Sequence, residues 1–107
     1  MPFDVEKINV CFLMWIEFGP TLGAPLDPRI KKKFPEFTTI EISQYAKECV
    51  SARNLGHKFV YDKGVMVFES PKKMNEEFVQ FIKSKHNWMN DENIQHLYSQ
   101  SCYYAMK

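Results

Sequence analysis

Apolar residues fill both alternating sets of positions in the first part of the chain. Ile8, Val10, Phe12, Met14, Ile16 and Phe18 make one set, and Cys11, Leu13 and Trp15 stand in the other. The runs at Phe59, Val60 and Tyr61, and at Val65, Met66, Val67 and Phe68, repeat the pattern. A strand with one wet face alternates apolar and polar residues, whereas a strand covered on both faces is apolar throughout. The pattern therefore predicts three strands, the first over about Lys7–Phe18, in a sheet covered on both faces. Asp62, Lys63 and Gly64 separate the second run from the third. Glycine takes the left-handed position of a short turn without strain, so an antiparallel hairpin is predicted over Phe59–Phe68.

Helical spacing governs most of the remainder. Thr38 and Glu41 have the form of a capping box, a hydroxyl at the cap with a glutamate three residues on. Ile42, Tyr45, Ala46, Cys49, Val50 and Arg53 then follow helical spacing, and Gly56 suits the position just past a helix end. The first helix is predicted over Thr39–Leu55. A strand over Phe37–Ser43 is the competing reading, but the apolar spacing continues well beyond Ser43. Ser70 and Pro71 open a second helix with inner residues Met74, Phe78, Phe81 and Ile82. Residues 86–90 break the pattern, and Asn90 or Asp91 caps a third helix carrying Ile94, Leu97, Tyr98 and Ser101. Gly19, Pro20, Gly23, Pro25, Pro28 and Pro35 predict a loop over 19–37, anchored by Leu22, Leu26, Ile30, Phe34 and Phe37. The expected fold class is α+β: a single globular domain over 1–107, of order β-(long loop)-α-β-β-α-α. Its three-stranded mixed or antiparallel sheet packs with the helices.

Composition changes this picture in one respect. With 107 residues, 45% apolar and 25% charged, the chain has the make-up of an ordinary globular domain. Nine Phe, five Tyr, two Trp and six Met are the excess, and these residues serve both cores and contact surfaces. A sheet apolar on both faces in so short a chain leaves one face short of cover, which points to a partner surface. The net charge of +1 supplies no long-range field for nucleic acid or membrane. Cys11, Cys49 and Cys102 are odd in number and widely spaced, as in buried reduced thiols. No basic leader opens the chain, and the run Val10–Ile16 is too short to span a bilayer. A cytoplasmic protein is expected, and no membrane partner. The lysine-rich, arginine-poor composition suits an AT-rich genome of phage or mobile-element type.

Candidate chemistry is sparse. His57, His86 and His96 have no second His or Cys at helical ligand spacing, and Cys49 lies on an apolar helical stripe. Neither a nucleophile elbow nor a glycine-rich phosphate loop is present, and no motif is diagnostic of a family. No enzyme activity, cofactor or metal is expected. The one dense charge cluster is Arg29, Lys31, Lys32 and Lys33, followed by Phe34 and Phe37. Cations beside aromatics hold phosphates and stack bases, although a solvated lysine run is the plainer reading, and all four cations are expected to be exposed. The function that fits is a non-catalytic protein-binding module: a small inhibitor, adaptor or regulatory protein. Its contact surface is expected among Leu13, Trp15, Arg29, Lys31, Lys32, Lys33, Phe34, Phe37, Phe59 and Tyr61. The expected partner is another protein, with a second copy in a homodimer as one form of it. A nucleic-acid binder using Arg29–Lys33 is the alternative, and a small enzyme with a dispersed site the second.

Overall fold

A computed structural model describes residues 3–16, 25–64 and 69–105. Five α-helices account for the regular structure there: α1 Val5–Ile16, α2 Asp27–Lys33, α3 Thr39–Lys63, α4 Pro71–Lys85 and α5 Asp91–Ala105. Among the described residues there is no strand, so the predicted α+β fold and its three-stranded sheet are corrected to an all-helical one. The 25-residue α3, about 37 Å long at 1.5 Å per residue, is the spine. It packs against α1, α2, α4 and, most extensively, α5.

The first predicted strand is helix α1. Its apolar run contains a helical stripe as well as an alternating one, and Ile8, Cys11, Phe12 and Ile16 are buried on it. A run apolar at nearly every position satisfies both periods, although its twelve residues are longer than most strands. Asp4 caps the helix: its carboxylate accepts from the Lys7 backbone N–H at 3.0 Å, and its carbonyl accepts from that of Ile8 at 2.9 Å.

The predicted hairpin is also corrected, since Phe59–Lys63 are the last turn and a half of α3. Ile42, Tyr45, Cys49, Ala52 and Gly56 form one buried seam at steps of three and four, and Val60 continues it. Gly56 therefore does not end the helix. A Cβ built on it would stand 2.8 Å from Leu97 Cδ2 and 2.9 Å from Leu97 Cγ, so its missing side chain lets α5 lie close against α3. Gly64, with φ of 57°, is the cap instead, and its N–H donates to the Val60 carbonyl. The positive φ assigned to a hairpin turn is real, but it closes a helix.

Part of the predicted loop is helix α2. Pro28 sits in its first turn, where no N–H is missed, and Lys31, Lys32 and Lys33 sit in its last, where cations meet the negative end of the helix dipole. Glu17, Phe18, loop positions 19–24 and the hairpin's second arm, 65–68, lie outside the described residues. The remaining elements follow expectation. Thr38 and Glu41 make both bonds of the capping box, at 2.8 and 3.1 Å. Pro71 opens α4, although the Ser70 side chain makes no cap bond. The Asn90 side chain accepts from the Asn93 N–H at 2.8 Å to cap α5.

The break at 86–90 is held from two sides. On the α3 side, Glu48 Oε2 accepts from His86 Nδ1 at 2.7 Å and from Trp88 Nε1 at 2.8 Å. On the α1 side, the buried Asn9 amide donates to the Trp88 carbonyl at 2.8 Å and accepts from the Asn90 backbone and the Asn93 side chain. These bonds fix the turn between α4 and α5 against the spine.

Candidate interaction face

Helix α3 carries Arg53, His57 and Tyr61 at steps of four, which places them one above another on a single side of the helix. The end of α1 approaches this row at one point and the end of α5 at another. From α1, Trp15 lies under Arg53, with the guanidinium carbon 4.6 Å from the ring centroid. From α5, Tyr104 meets His57 with ring centroids 5.3 Å apart. Gln100 joins the two approaches: its amide N–H donates to the Ile16 carbonyl at 2.7 Å, and its Oε1 receives the His57 Nε2 proton at 3.0 Å. That orientation of Gln100 places the proton of neutral His57 on Nε2.

Burial, partly offset by the Gln100 bond, holds the His57 pKa below the ordinary histidine value, and the Arg53 charge adds to the lowering. The row continues into a shallow depression of about 430 Å³ walled by His57, Lys58, Tyr61, Asp62, Ser101 and Tyr104. Tyr61 stands at its rim 73% exposed, and Tyr103 close by in sequence is 52% exposed. Lys58 is already bound to Asp62 at 2.7 Å. Trp15 Nε1 and Arg53 Nε are shut off from solvent with no hydrogen-bond acceptor among the described residues. Among the described residues no carboxylate pairs with Arg53.

The thiols differ in kind from this face. Burial pushes Cys11 up to about 11, and Cys49 and Cys102 are raised as well, chiefly by burial. Such thiols stay protonated at neutral pH and are poor nucleophiles. Among the described residues no three of His, Cys, Asp and Glu stand close enough to hold a metal ion. None of the described helices is long and apolar enough to cross a membrane.

The residues singled out in the sequence divide among several places. Trp15 and Tyr61 belong to the face just described, and Leu13 is half-buried on α1. Phe59 and Tyr61 would share one side of a strand, but two helical positions turn through about 200° and separate them. Phe59 instead stacks on Phe81 of α4 at 4.7 Å. Phe37 is core, and Phe34 stacks on it at 5.0 Å, with Lys7 Nζ 5.4 Å from the Phe37 ring. Lys31, Lys32 and Lys33 are exposed as expected, and Lys31 Nζ donates to the Pro35 and Phe37 carbonyls. Arg29 is not exposed as expected: it is half-buried, and its Nη1 donates to the Met14 carbonyl at 2.9 Å. In the sequence Arg53 stood out only as part of the α3 spacing and His57 only as a histidine without a ligand partner, and Gln100 and Tyr104 were not singled out. The spacing of Arg53, His57 and Tyr61 was visible in the sequence, but it disappears once a helix is ended at Gly56. No family model, curated protein or solved structure matches the chain.

Proposed function

We propose that this chain is a non-catalytic protein-binding module whose contact surface is the row Arg53, His57 and Tyr61, flanked by Trp15 and Tyr104. One observation carries the reading: a cation held over an indole, with no carboxylate paired to it among the described residues, stands in line with a tyrosine that is 73% exposed. Tyrosine, tryptophan and arginine are the residues that dominate binding energy at protein interfaces, because each offers a large ring or plane with a polar end. The raised thiols and the His57 nitrogen committed to Gln100 favour binding over covalent chemistry. Cysteines that form no disulfide suit a reducing compartment such as the cytosol.

Among the described residues there is no sheet with a face left uncovered, and particular side chains make the surface instead. A photocrosslinking residue at position 61 tests it in the native host. A discrete protein adduct from position 61, absent when the same group is placed at exposed Glu76, is expected. Equal, diffuse labelling from both positions would show that the face has no specific partner.

A further inference from the structure

We propose that Arg53 and Trp15 form a receptor for a carboxylate presented by the bound protein, an inference that rests on the protein-binding reading above. Two acceptors at the end of α1 are already taken. The Met14 carbonyl receives Arg29 Nη1, and the Ile16 carbonyl receives the Gln100 amide. What remains around Trp15 among the described residues is a surplus of donors: its own indole N–H and the Arg53 guanidinium, whose Nε is sealed with no acceptor among them. The terminal nitrogens of Arg53 are not sealed in this way, so they form the edge an incoming acceptor meets. Stacking on the indole holds the guanidinium plane in place, and a planar fork matches a carboxylate with two parallel bonds. Partial burial strengthens that pair relative to one in water.

Charge in the neighbourhood selects a single carboxylate over a polyanion. Asp62 lines the same face and neutralises Lys58, so Arg53 has no row of free cations beside it to follow a phosphate backbone. Arg53 and Tyr61 are eight residues apart on α3, about 12 Å along the axis. An extended segment covers that distance in about four residues. The bound segment is therefore an acidic residue with an apolar or aromatic residue three or four positions away, seated on Tyr61 and Tyr104.

The probe is a displayed library of random 12-residue peptides, selected on wild-type protein and on Arg53→Met and Arg53→Lys variants whose helicity is first confirmed by circular dichroism. Methionine keeps the stem against Trp15, and lysine keeps the charge without the fork. Wild-type protein is expected to enrich peptides with Asp or Glu at that spacing from an apolar residue. The best of them, made synthetically, should lose at least about tenfold in affinity for Arg53→Met and part of that for Arg53→Lys. Enrichment without acidic residues, or acidic peptides bound equally by both variants, overturns the carboxylate receptor and leaves the protein-binding reading standing. Failure to enrich any peptide overturns both. Salt-sensitive binding of a 20-nucleotide single strand that depends on Arg53 reassigns the site to phosphate. A concentration-dependent dimer lost in Arg53→Met reassigns it to a second copy. If Glu17→Gln lowers stability as much as Arg53→Met does, the acceptor is the chain's own carboxylate, and the receptor is refuted.

Discussion

Gly56 shows how one missing methyl sets the distance between two helices. Alanine in its place gains helix propensity of up to about 1 kcal/mol, but the new Cβ meets Leu97 at 2.8–2.9 Å, and Leu97 is fully buried with little room to move. Overpacking of this kind costs about 1–3 kcal/mol, so Gly56→Ala should be destabilising by about 1 kcal/mol in urea unfolding. His57 makes the second point at this scale. Its pKa in the folded chain lies below the unfolded value near 6.5, so the unfolded chain binds the proton more readily. The stability that neutral His57 contributes is present above about pH 6.5 and is lost as pH falls through the lower folded value. His57→Gln should flatten the pH dependence of stability in that window, as seen by comparing urea midpoints of the two proteins. An unchanged slope would show that His57 is not held neutral by its surroundings.

At the scale of elements, α3 and α2 are the informative cases. Helix α3 continues through His57–Lys63 because Gly56 and Val60 fall on the buried seam, and packing there outweighs the β-forming character of Phe59, Val60 and Tyr61. Its end depends on Gly64, whose φ of 57° is costly for a residue with a Cβ. Gly64→Ala should lower stability by about 1–2 kcal/mol while leaving the helical circular dichroism signal nearly intact. In α2 the four cations separate into two roles. Lys31, Lys32 and Lys33 are exposed, and replacing all three by serine should shift stability by no more than about 1 kcal/mol, mainly through the lost helix-end charge. Arg29→Met should cost about as much or more alone, since it leaves the Met14 carbonyl without its donor. Thermal melts of the two variants side by side check this ordering.

On the scale of the whole molecule, the turn at 86–90 joins α1, α3 and α5 through two polar groups, buried Asn9 and half-buried Glu48. Asn9 is nearly buried and satisfies both its donors and its acceptor there. Asn9→Ala removes them together and takes the side-chain partner from the Asn90 N–H and the Trp88 carbonyl, while Asn93 keeps its bond to the Asn9 backbone carbonyl. The loss should cost about 2–4 kcal/mol in urea unfolding. A loss under about 1 kcal/mol would mean that the turn is held by Glu48 and hydrophobic packing alone. The face at Arg53 lies elsewhere and bears on association instead. Tyr61→Glu should leave the urea midpoint unchanged within about 0.5 kcal/mol while weakening partner capture.

Local chemistry alone determined those parts of the chain whose signals admit one meaning. The capping box at Thr38 and Glu41, proline at the start of α4, the asparagine cap at Asn90 and the spacing of Met74, Phe78, Ile82, Ile94 and Leu97 each specify a helix whatever packs against it. The run Ile8–Ile16 and the run Lys58–Tyr61 carry no such constraint, because apolar residues at nearly every position fit a buried strand and a buried helix equally. Contacts decided between them. Phe12 needs Trp88, with ring centroids 5.7 Å apart and 76 positions along the chain, and Gly56 needs Leu97. The candidate face was hidden for the same reason. Trp15 and Tyr61 were legible as apolar surface, but Arg53 acquires its meaning only when α1 brings an indole beneath it, with the Ile16 carbonyl at the end of that helix already taken by Gln100. Sequence periodicity reports which residues share a side of one element, whereas a donor left without an acceptor arises only between elements that the fold brings together.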